Sequence, residues 1–318
     1  MRLGYNTWSM ATVPYATFIP GLHEIGYTAI TISVIPSYGI GGRRTPNAGY
    51  YGDWTADDRR RIKQEFEAHG LELSAIVGNA SMVGDDAAQV QANLQQLRDA
   101  IDLCAELKPA HQSFVPTMNT TSGGHTNEFE ARKQQLVDNL GELARYAAGK
   151  GVTVCIEPHV GGAIDVPQRA RWLVETVGQE SCRIDFDISH FEVVGIPMEE
   201  SIPQLVPISK SVEIKDQSFR YADGPPAPPT WRVEGNGLGR AIAPNGRPVE
   251  YQFLLGGEGT FDLPKYLTLM QQHGWKGAVG FEASVQCQQR PGYDGMAVAA
   301  NVYRWMEAGW NEAGIARD

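Results

Sequence analysis

The feature that most constrains the fold is a repeated order of helix, glycine and apolar strand. Four helix-like segments end in a glycine, and an apolar run follows each one, at Gly26, Gly70, Gly151 and Gly274. Glycine adopts the left-handed conformation at a helix end without steric cost, so this order is typical of a chain that leaves a helix and enters a strand. The sequence therefore predicts alternating helices and strands.

The same alternation can be followed from one end of the chain to the other. Strands are predicted at residues 3–8, 29–34, 71–76, 111–117, 152–156, 182–187, 211–215 and 277–282. Helices are predicted at residues 15–25, 56–69, 90–107, 136–147, 166–177, 197–205, 261–273 and 294–313, the second of them capped by Thr55. Eight such units in 318 residues predict one (β/α)8 barrel domain over residues 1–318, and a doubly wound sheet is the weaker alternative.

Two long segments interrupt this order, at residues 35–51 and 217–259. Both follow predicted strands, the second and the seventh, so both are expected over the carboxyl end of the barrel. We expect residues 217–260 to form an inserted lid or a surface that docks a partner. A disordered surface loop is the alternative, although Trp231, Tyr251 and Phe253 offer this segment something to bury.

Composition limits the partners and the compartment. The net charge of −10 disfavours nucleic acid and anionic membranes as main partners and is compatible with a small sugar or glycoside. The four cysteines have no C-x-x-C spacing, which is typical of reduced thiols in a reducing compartment. We expect a cytoplasmic protein, because the sequence shows neither a signal-peptide core nor an apolar run of membrane-spanning length.

Carboxylates recur where the later strands end. Four consecutive predicted strands end close to Glu157, Asp187, Glu213 and Glu282. In a barrel these ends meet at one mouth, where like charges about 4 Å apart repel by roughly 4 kcal/mol at an effective dielectric near 20. Any single acid is more often part of a rim salt bridge or a helix cap. Four together favour a bound cation, and oxygen ligands suit Mn²⁺ or Mg²⁺.

The motifs around these acids resemble the xylose-isomerase-like barrels, a superfamily of sugar isomerases and epimerases, along nearly the whole chain. The resemblance rests on Ile156-Glu157-Pro158-His159, Asp187-Ile188-Ser189-His190, Val212-Glu213-Ile214-Lys215-Asp216 and residues 257–262 and 280–282. It implies that Glu157, Asp187 and Glu282 bind a metal. The fourth ligand in that superfamily is commonly a histidine on strand seven, where this sequence has Glu213.

A narrower resemblance, carried by residues 282–294 together with the Glu-Pro-His and Lys-Asp-Gln motifs, is to the large subunits of bacterial C-glycoside deglycosidases. It implies action on 3-oxo-glucosides, a divalent metal and a small second subunit. The expected reaction is metal-assisted enolisation of a 3-keto sugar, followed by cleavage of its glycosidic bond. A stand-alone keto-sugar isomerase or epimerase would use the same site.

Three basic residues are candidates for catalysis. His159 shares a strand face with Glu157 and is expected to act as the general base. His190 is expected in a loop, holding a substrate hydroxyl or capping a helix. Lys215 is expected to stabilise an oxyanion or to form a structural ion pair.

Other residues and functions carry weaker expectations. Asp185 is interpreted as support one layer below Asp187. His111, on the fourth strand, is expected either to reach the site or, as the stronger alternative, to be a satisfied core histidine. A non-catalytic sugar-binding barrel requires that the acids hold no metal. A DNA-repair endonuclease is remote, because the chain has only 7 histidines and is acidic.

Overall fold

The computed structural model describes residues 1–40, 43–48, 50–227, 232–233, 241–243 and 245–316. Eight parallel strands close into a barrel in which neighbouring strands follow chain order. They are β1 Arg2–Asn6, β2 Ala29–Ser33, β3 Glu72–Val77, β4 Thr117–Thr121, β5 Thr153–Glu157, β6 Cys182–Asp187, β7 Ser209–Ile214 and β8 Ala278–Phe281. The predicted (β/α)8 barrel is confirmed.

Eight helices surround the strands and cover the outside of the barrel. They are α1 Tyr15–Ile25, α2 Ala56–His69, α3 Ala87–Leu107, α4 Phe129–Ala148, α5 Pro167–Val177, α6 Met198–Leu205, α7 Leu263–Gln272 and α8 Gly295–Ala313. Two shorter helices, Ser189–Glu192 and Val285–Gln288, lie after β6 and β8. The apolar stripes of the long helices pack on the outer face of the strands and form one large core.

The four predicted helix stops have the expected backbone conformation. Gly26, Gly70, Gly151 and Gly274 all have positive φ angles. At the end of α1, the amide of Gly26 donates to the carbonyls of Leu22 and His23, which would otherwise lack partners. The left-handed conformation of these glycines is therefore a local cause of the alternation that the sequence predicts.

The fourth strand lies elsewhere than predicted. Residues 111–117 were expected to form it, but β4 begins at Thr117, directly after Pro116, which has no amide hydrogen to donate. His111 is consequently exposed, and its Nε2 lies 2.9 Å from the carbonyl oxygen of Leu71, just before the amino end of β3. Both expectations for His111, that it reaches the site and that it is a core histidine, are wrong.

The two long interruptions contain regular structure. The first holds an antiparallel hairpin of Ser37–Ile40 and Arg43–Pro46. The second contributes to a four-stranded antiparallel sheet of Asp216–Tyr221, Arg232–Val233, Ala241–Ile242 and Pro248–Leu254. The described part of the second interruption thus forms strands, and its role as a lid or a docking surface stays a prediction. Trp231 lies outside the described residues.

One buried carboxylate ties this sheet to the barrel. Asp216, which follows β7, is 1% exposed and accepts hydrogen bonds from four backbone amides, those of Gln217, Gly257, Gly259 and Phe261. Because backbone amides are otherwise left without partners in such a turn, this carboxylate fixes both ends of the inserted segment.

The four cysteines have the environment expected from their spacing. Cys104, Cys155, Cys182 and Cys287 are all buried and free, as expected for reduced thiols that pack as small apolar groups. Within the described ranges, no helix combines the length and the apolar character needed to cross a membrane.

The start of α2 offers a test of the predicted cap. Thr55 accepts from the amide of Asp58, and Asp58 accepts in return from the amide of Thr55. Replacing Thr55 by alanine removes the first of these bonds, so Thr55→Ala should lower the free energy of unfolding by about 1 kcal/mol. Urea denaturation followed by circular dichroism would measure this loss. Thr55→Ser keeps the hydroxyl and should be nearly neutral; equal losses in both variants would contradict the cap.

Candidate active site

The predicted site residues meet at the carboxyl end of the barrel. Glu157 ends β5, Asp187 ends β6, and Lys215 and Glu282 directly follow β7 and β8. Parallel strands in a closed barrel direct all their carboxyl ends to one rim, and alternation along each strand directs these side chains inward. The convergence expected from the sequence is therefore present.

Three of the predicted site residues, Glu157, Asp187 and His190, form a compact group of potential metal ligands. Oxygen atoms of Glu157 and Asp187 and a ring nitrogen of His190 all lie within 4.8 Å of one another. Nε2 of His190 is 3.1 Å from Oε1 of Glu157 and 3.6 Å from Oδ2 of Asp187. His190 was expected in a loop, either holding a substrate hydroxyl or as a helix-cap or solvent histidine. It lies in the short helix after β6, 2% exposed, with Nε2 directed at the two acids.

Lys215 forms the ion pair that was one of its two expected roles. Its ammonium contacts Oδ2 of Asp187 and lies 3.0 Å from Oε1 of Glu282. Burial alone would raise the pKa of Asp187, but the adjacent charge of Lys215 outweighs it and holds this pKa well below its ordinary value. Asp187 is therefore ionised, and Lys215 balances part of the negative charge at the mouth.

Glu213 lies beside this group and has a different partner. The side-chain amide of Asn6 donates to Oε1 of Glu213 at 2.7 Å and to Oε2 of Glu282 at 3.1 Å. Burial, together with the charges of Asp185 and Glu282, raises the pKa of Glu213 well above its ordinary value. The compact donor group contains His190 and not Glu213, so the geometry favours His190 over Glu213 as the third donor.

Asn6 is a residue of the site that the sequence motifs did not indicate. Its side chain is completely buried and joins two of the four predicted acids. The signal was available, because Asn6 is a polar residue at the end of the first apolar strand, in the position equivalent to that of the acids on later strands.

A second polar layer supports the first from below. Asp185 accepts a 2.7 Å hydrogen bond from the side-chain amide of Asn119, which also donates to Oγ of Ser211 at 2.8 Å. Burial raises the pKa of Asp185 well above its ordinary value, and Glu157 adds to the effect. Asp185 thus takes the supporting position expected for it.

His159 lies at the rim, and among the described residues only one of its ring nitrogens has a hydrogen-bond partner. Its ring is 4.0 Å from that of His190, centroid to centroid, and its Nδ1 is 2.9 Å from the carbonyl oxygen of Val160. Since a carbonyl can only accept, Nδ1 carries the hydrogen and Nε2 keeps a lone pair. Surrounding protein atoms and the neighbouring His190 lower the pKa of His159, while one side of the residue stays open to solvent. A neutral, accessible imidazole can accept a proton.

The donor set fits a divalent cation. Two carboxylates and one imidazole suit Mg²⁺, Mn²⁺ or Zn²⁺ and leave coordination positions for a substrate. The carboxylates of Glu157 and Asp187 are both held below their ordinary pKa, Glu157 chiefly by its hydrogen bond from His190 acting against burial. These two negative carboxylates outnumber the one positive charge of Lys215, so a bound divalent cation would balance the negative charge that remains.

A large cavity at the other end of the barrel is not the candidate site. It has a volume of about 1350 Å³ and is lined by residues at the amino ends of the strands, including Arg2, Thr153 and Ser209. The carboxylates, His159 and Lys215 lie at the opposite rim, where barrel enzymes keep their chemistry. The candidate active site is therefore the carboxyl rim that carries these groups, not the large cavity.

Comparison with known proteins agrees with this arrangement. The profile of the xylose isomerase-like TIM barrel family matches residues 19–308. A comparison with curated protein sequences found no match.

Three solved structures show the same fold at low identity. A 3-keto-D-glucoside 4-epimerase from E. coli has a TM-score of 0.68 and 13% identity, covering 97% of this chain and 99% of its own. A xylose isomerase-like protein from Mycobacterium smegmatis in complex with magnesium has a TM-score of 0.64 and 15% identity, covering 98% and 97%.

The third structure, an IolI protein with a bound zinc atom, has a TM-score of 0.68 and 17% identity, covering 99% of this chain and 98% of its own. Two neighbours thus hold Mg²⁺ or Zn²⁺, while Glu157, Asp187 and His190 form the candidate metal site here. The family match extends over most of the chain. This protein belongs to the xylose isomerase-like TIM barrel family.

Proposed function

We propose that this protein is a divalent-metal-dependent enzyme that removes a proton from the carbon next to the keto group of a 3-keto glycoside and then cleaves the glycosidic bond. The observation that carries the proposal is the pairing of a free base with a three-donor metal site: the ring of His159 lies 4.0 Å from the ring of His190, whose Nε2 is directed at Glu157 and Asp187.

The residues divide the work by position. His159 accepts the proton on Nε2, and the carbonyl of Val160 holds its ring in the required tautomer. Lys215 and Asn6 fix the surrounding carboxylates, so little rearrangement is needed as charge develops on the substrate. A divalent cation bound by Glu157, Asp187 and His190 would stabilise the negative charge on the keto oxygen.

Two outcomes can follow removal of a proton from C2 or C4, the carbons next to the keto group. In cleavage, loss of the C2 proton to His159 gives an enolate; its oxygen then re-forms the C3 carbonyl, the C2=C3 electron pair becomes a C1=C2 double bond, and the aglycone leaves C1 with the electrons of the broken bond and takes up a proton. In epimerisation, a proton returns from the other side to the carbon that lost it, which is C4 for a 4-epimerase. The second outcome is the alternative, favoured by the structural likeness to a 3-keto-D-glucoside 4-epimerase.

Metal binding tests the first half of the proposal. After dialysis against Mn²⁺, the wild-type protein should retain about one ion per chain. Glu157→Gln keeps the shape of the side chain but removes its charge, so it should weaken binding at least about tenfold. Isothermal titration and elemental analysis would measure both quantities.

Glu192 provides a matched control on the same short helix as His190. Burial raises the pKa of Glu192 to about 8, so its carboxyl is mostly protonated at pH 7 and glutamine reproduces it closely. Glu192→Gln should bind Mn²⁺ like the wild type. A wild-type protein that holds no ion, or a Glu157→Gln variant that binds as tightly, would contradict the metal site.

Proton exchange tests the second half. With Mn²⁺ and a methyl 3-keto-β-D-glucoside in D2O, the protein should exchange a proton next to the keto group, which NMR would show as loss of the H2 or H4 signal. His159→Ala should slow this exchange about 10²- to 10⁴-fold without loss of metal binding.

His23, exposed on α1 and remote from the mouth, gives the control, and His23→Ala should exchange at the wild-type rate. Release of an aglycone from a 3-oxo-C-glucoside would indicate cleavage, and accumulation of an epimer would indicate the alternative. Unchanged exchange in His159→Ala would exclude this histidine as the base.

The small second subunit expected from the resemblance is also a proposal. The antiparallel sheet of the inserted segment, part of residues 217–260, is the surface we propose for it. The cleavage assay should be run with and without the second subunit. A subunit that completes the site would change the cleavage rate and leave metal binding by this chain unaltered.

A further inference from the structure

Within the part of the chain that the structure describes, two buried hydroxyl groups at the mouth lie near each other, and neither makes a hydrogen bond of ordinary geometry. They belong to Ser33, which ends β2 and is 1% exposed, and to Tyr38 on the hairpin after β2, which is 2% exposed. Ser33 faces the barrel interior, because Thr31, two residues before it, pairs with the inward-facing Asn6. Buried hydroxyls without partners cost free energy, so their presence calls for a ligand or a water.

The surrounding structure holds Tyr38 in place. Its ring packs edge-on against Trp8 at 4.8 Å between centroids. The side-chain amide of Asn47 donates to the carbonyls of Ser33 at 3.0 Å and Ile35 at 2.8 Å, which fixes the base of the hairpin. The tyrosine hydroxyl therefore has a defined position without a hydrogen bond of its own.

This position is within the candidate active site. Burial raises the pKa of Tyr38, the neighbouring Ser33 hydroxyl offsets part of this rise, and the charge of Glu282 raises the pKa further, so the phenol is protonated and can donate. Hydroxyls of Ser33 and Tyr38 belong to the β1, β2 and β8 side of the mouth. In a closed eight-stranded barrel this side lies opposite β5 and β6, which carry His159 and the metal donors.

We propose that Tyr38 and Ser33 bind one hydroxyl of the sugar ring and thereby determine which sugars the site accepts. The inference rests on the proposed function, since it assumes that the ring spans the mouth from His159 to the opposite wall. Tyr38 donates to the sugar hydroxyl and Ser33 accepts from it, so both orphan groups gain a partner. A site built around such a hydroxyl discriminates strongly against a sugar that lacks it.

The test is the affinity of the metal-loaded protein for methyl β-D-glucopyranoside and its 2-, 4- and 6-deoxy analogues, measured by isothermal titration. Tyr38→Phe keeps the ring against Trp8 and removes only the hydroxyl. It should weaken binding of the parent glucoside about 3- to 10-fold. One deoxy analogue should bind the wild type and Tyr38→Phe equally, which would identify the hydroxyl that Tyr38 contacts.

Tyr27→Phe is the control, because the buried hydroxyl of Tyr27 donates to the carbonyl of Ala299 on α8 and Tyr27 lies just before β2, at the amino end of the barrel. It should bind all the sugars like the wild type.

Unchanged affinity of Tyr38→Phe for the glucoside would overturn the proposal and assign the two hydroxyls to a buried water. A wild-type protein that binds none of these sugars would overturn it as well. Failure of the proposed function is recognised separately: the wild type would then show no proton exchange with the 3-keto glucoside, while the dependence of sugar binding on Tyr38 persisted.

Discussion

The structure of the mouth depends on a single buried ammonium group. Lys215 contacts Asp187 and lies 3.0 Å from Glu282, and without it several carboxylates would share a space with little water to screen them. Removing one partner of such a buried pair typically costs about 3–5 kcal/mol, because the other charge is left uncompensated. The ionised state of Asp187 follows from this contact.

The inserted segment completes the same site. Phe253, on the last strand of the antiparallel sheet, lies 5.9 Å from the ammonium of Lys215 and 6.0 Å from the ring of His190, measured to its ring centroid. The Phe253 ring thus limits the access of water to the ammonium of Lys215 and restrains the imidazole of His190. Because Asp216 anchors this sheet through backbone amides directly after β7, the barrel and the insertion position the site together.

What the sequence predicts well is what strand alternation determines. Glu157 and Asp187 could be assigned to one mouth because each closes an apolar strand, and the same logic placed Asp185 below Asp187. His190 lies in a short helix, where period-two reasoning does not apply, so its contact with Glu157 required the folded chain. The strand β4 was misplaced because its interior residues, Thr117 and Asn119, are polar, so no apolar run marked it.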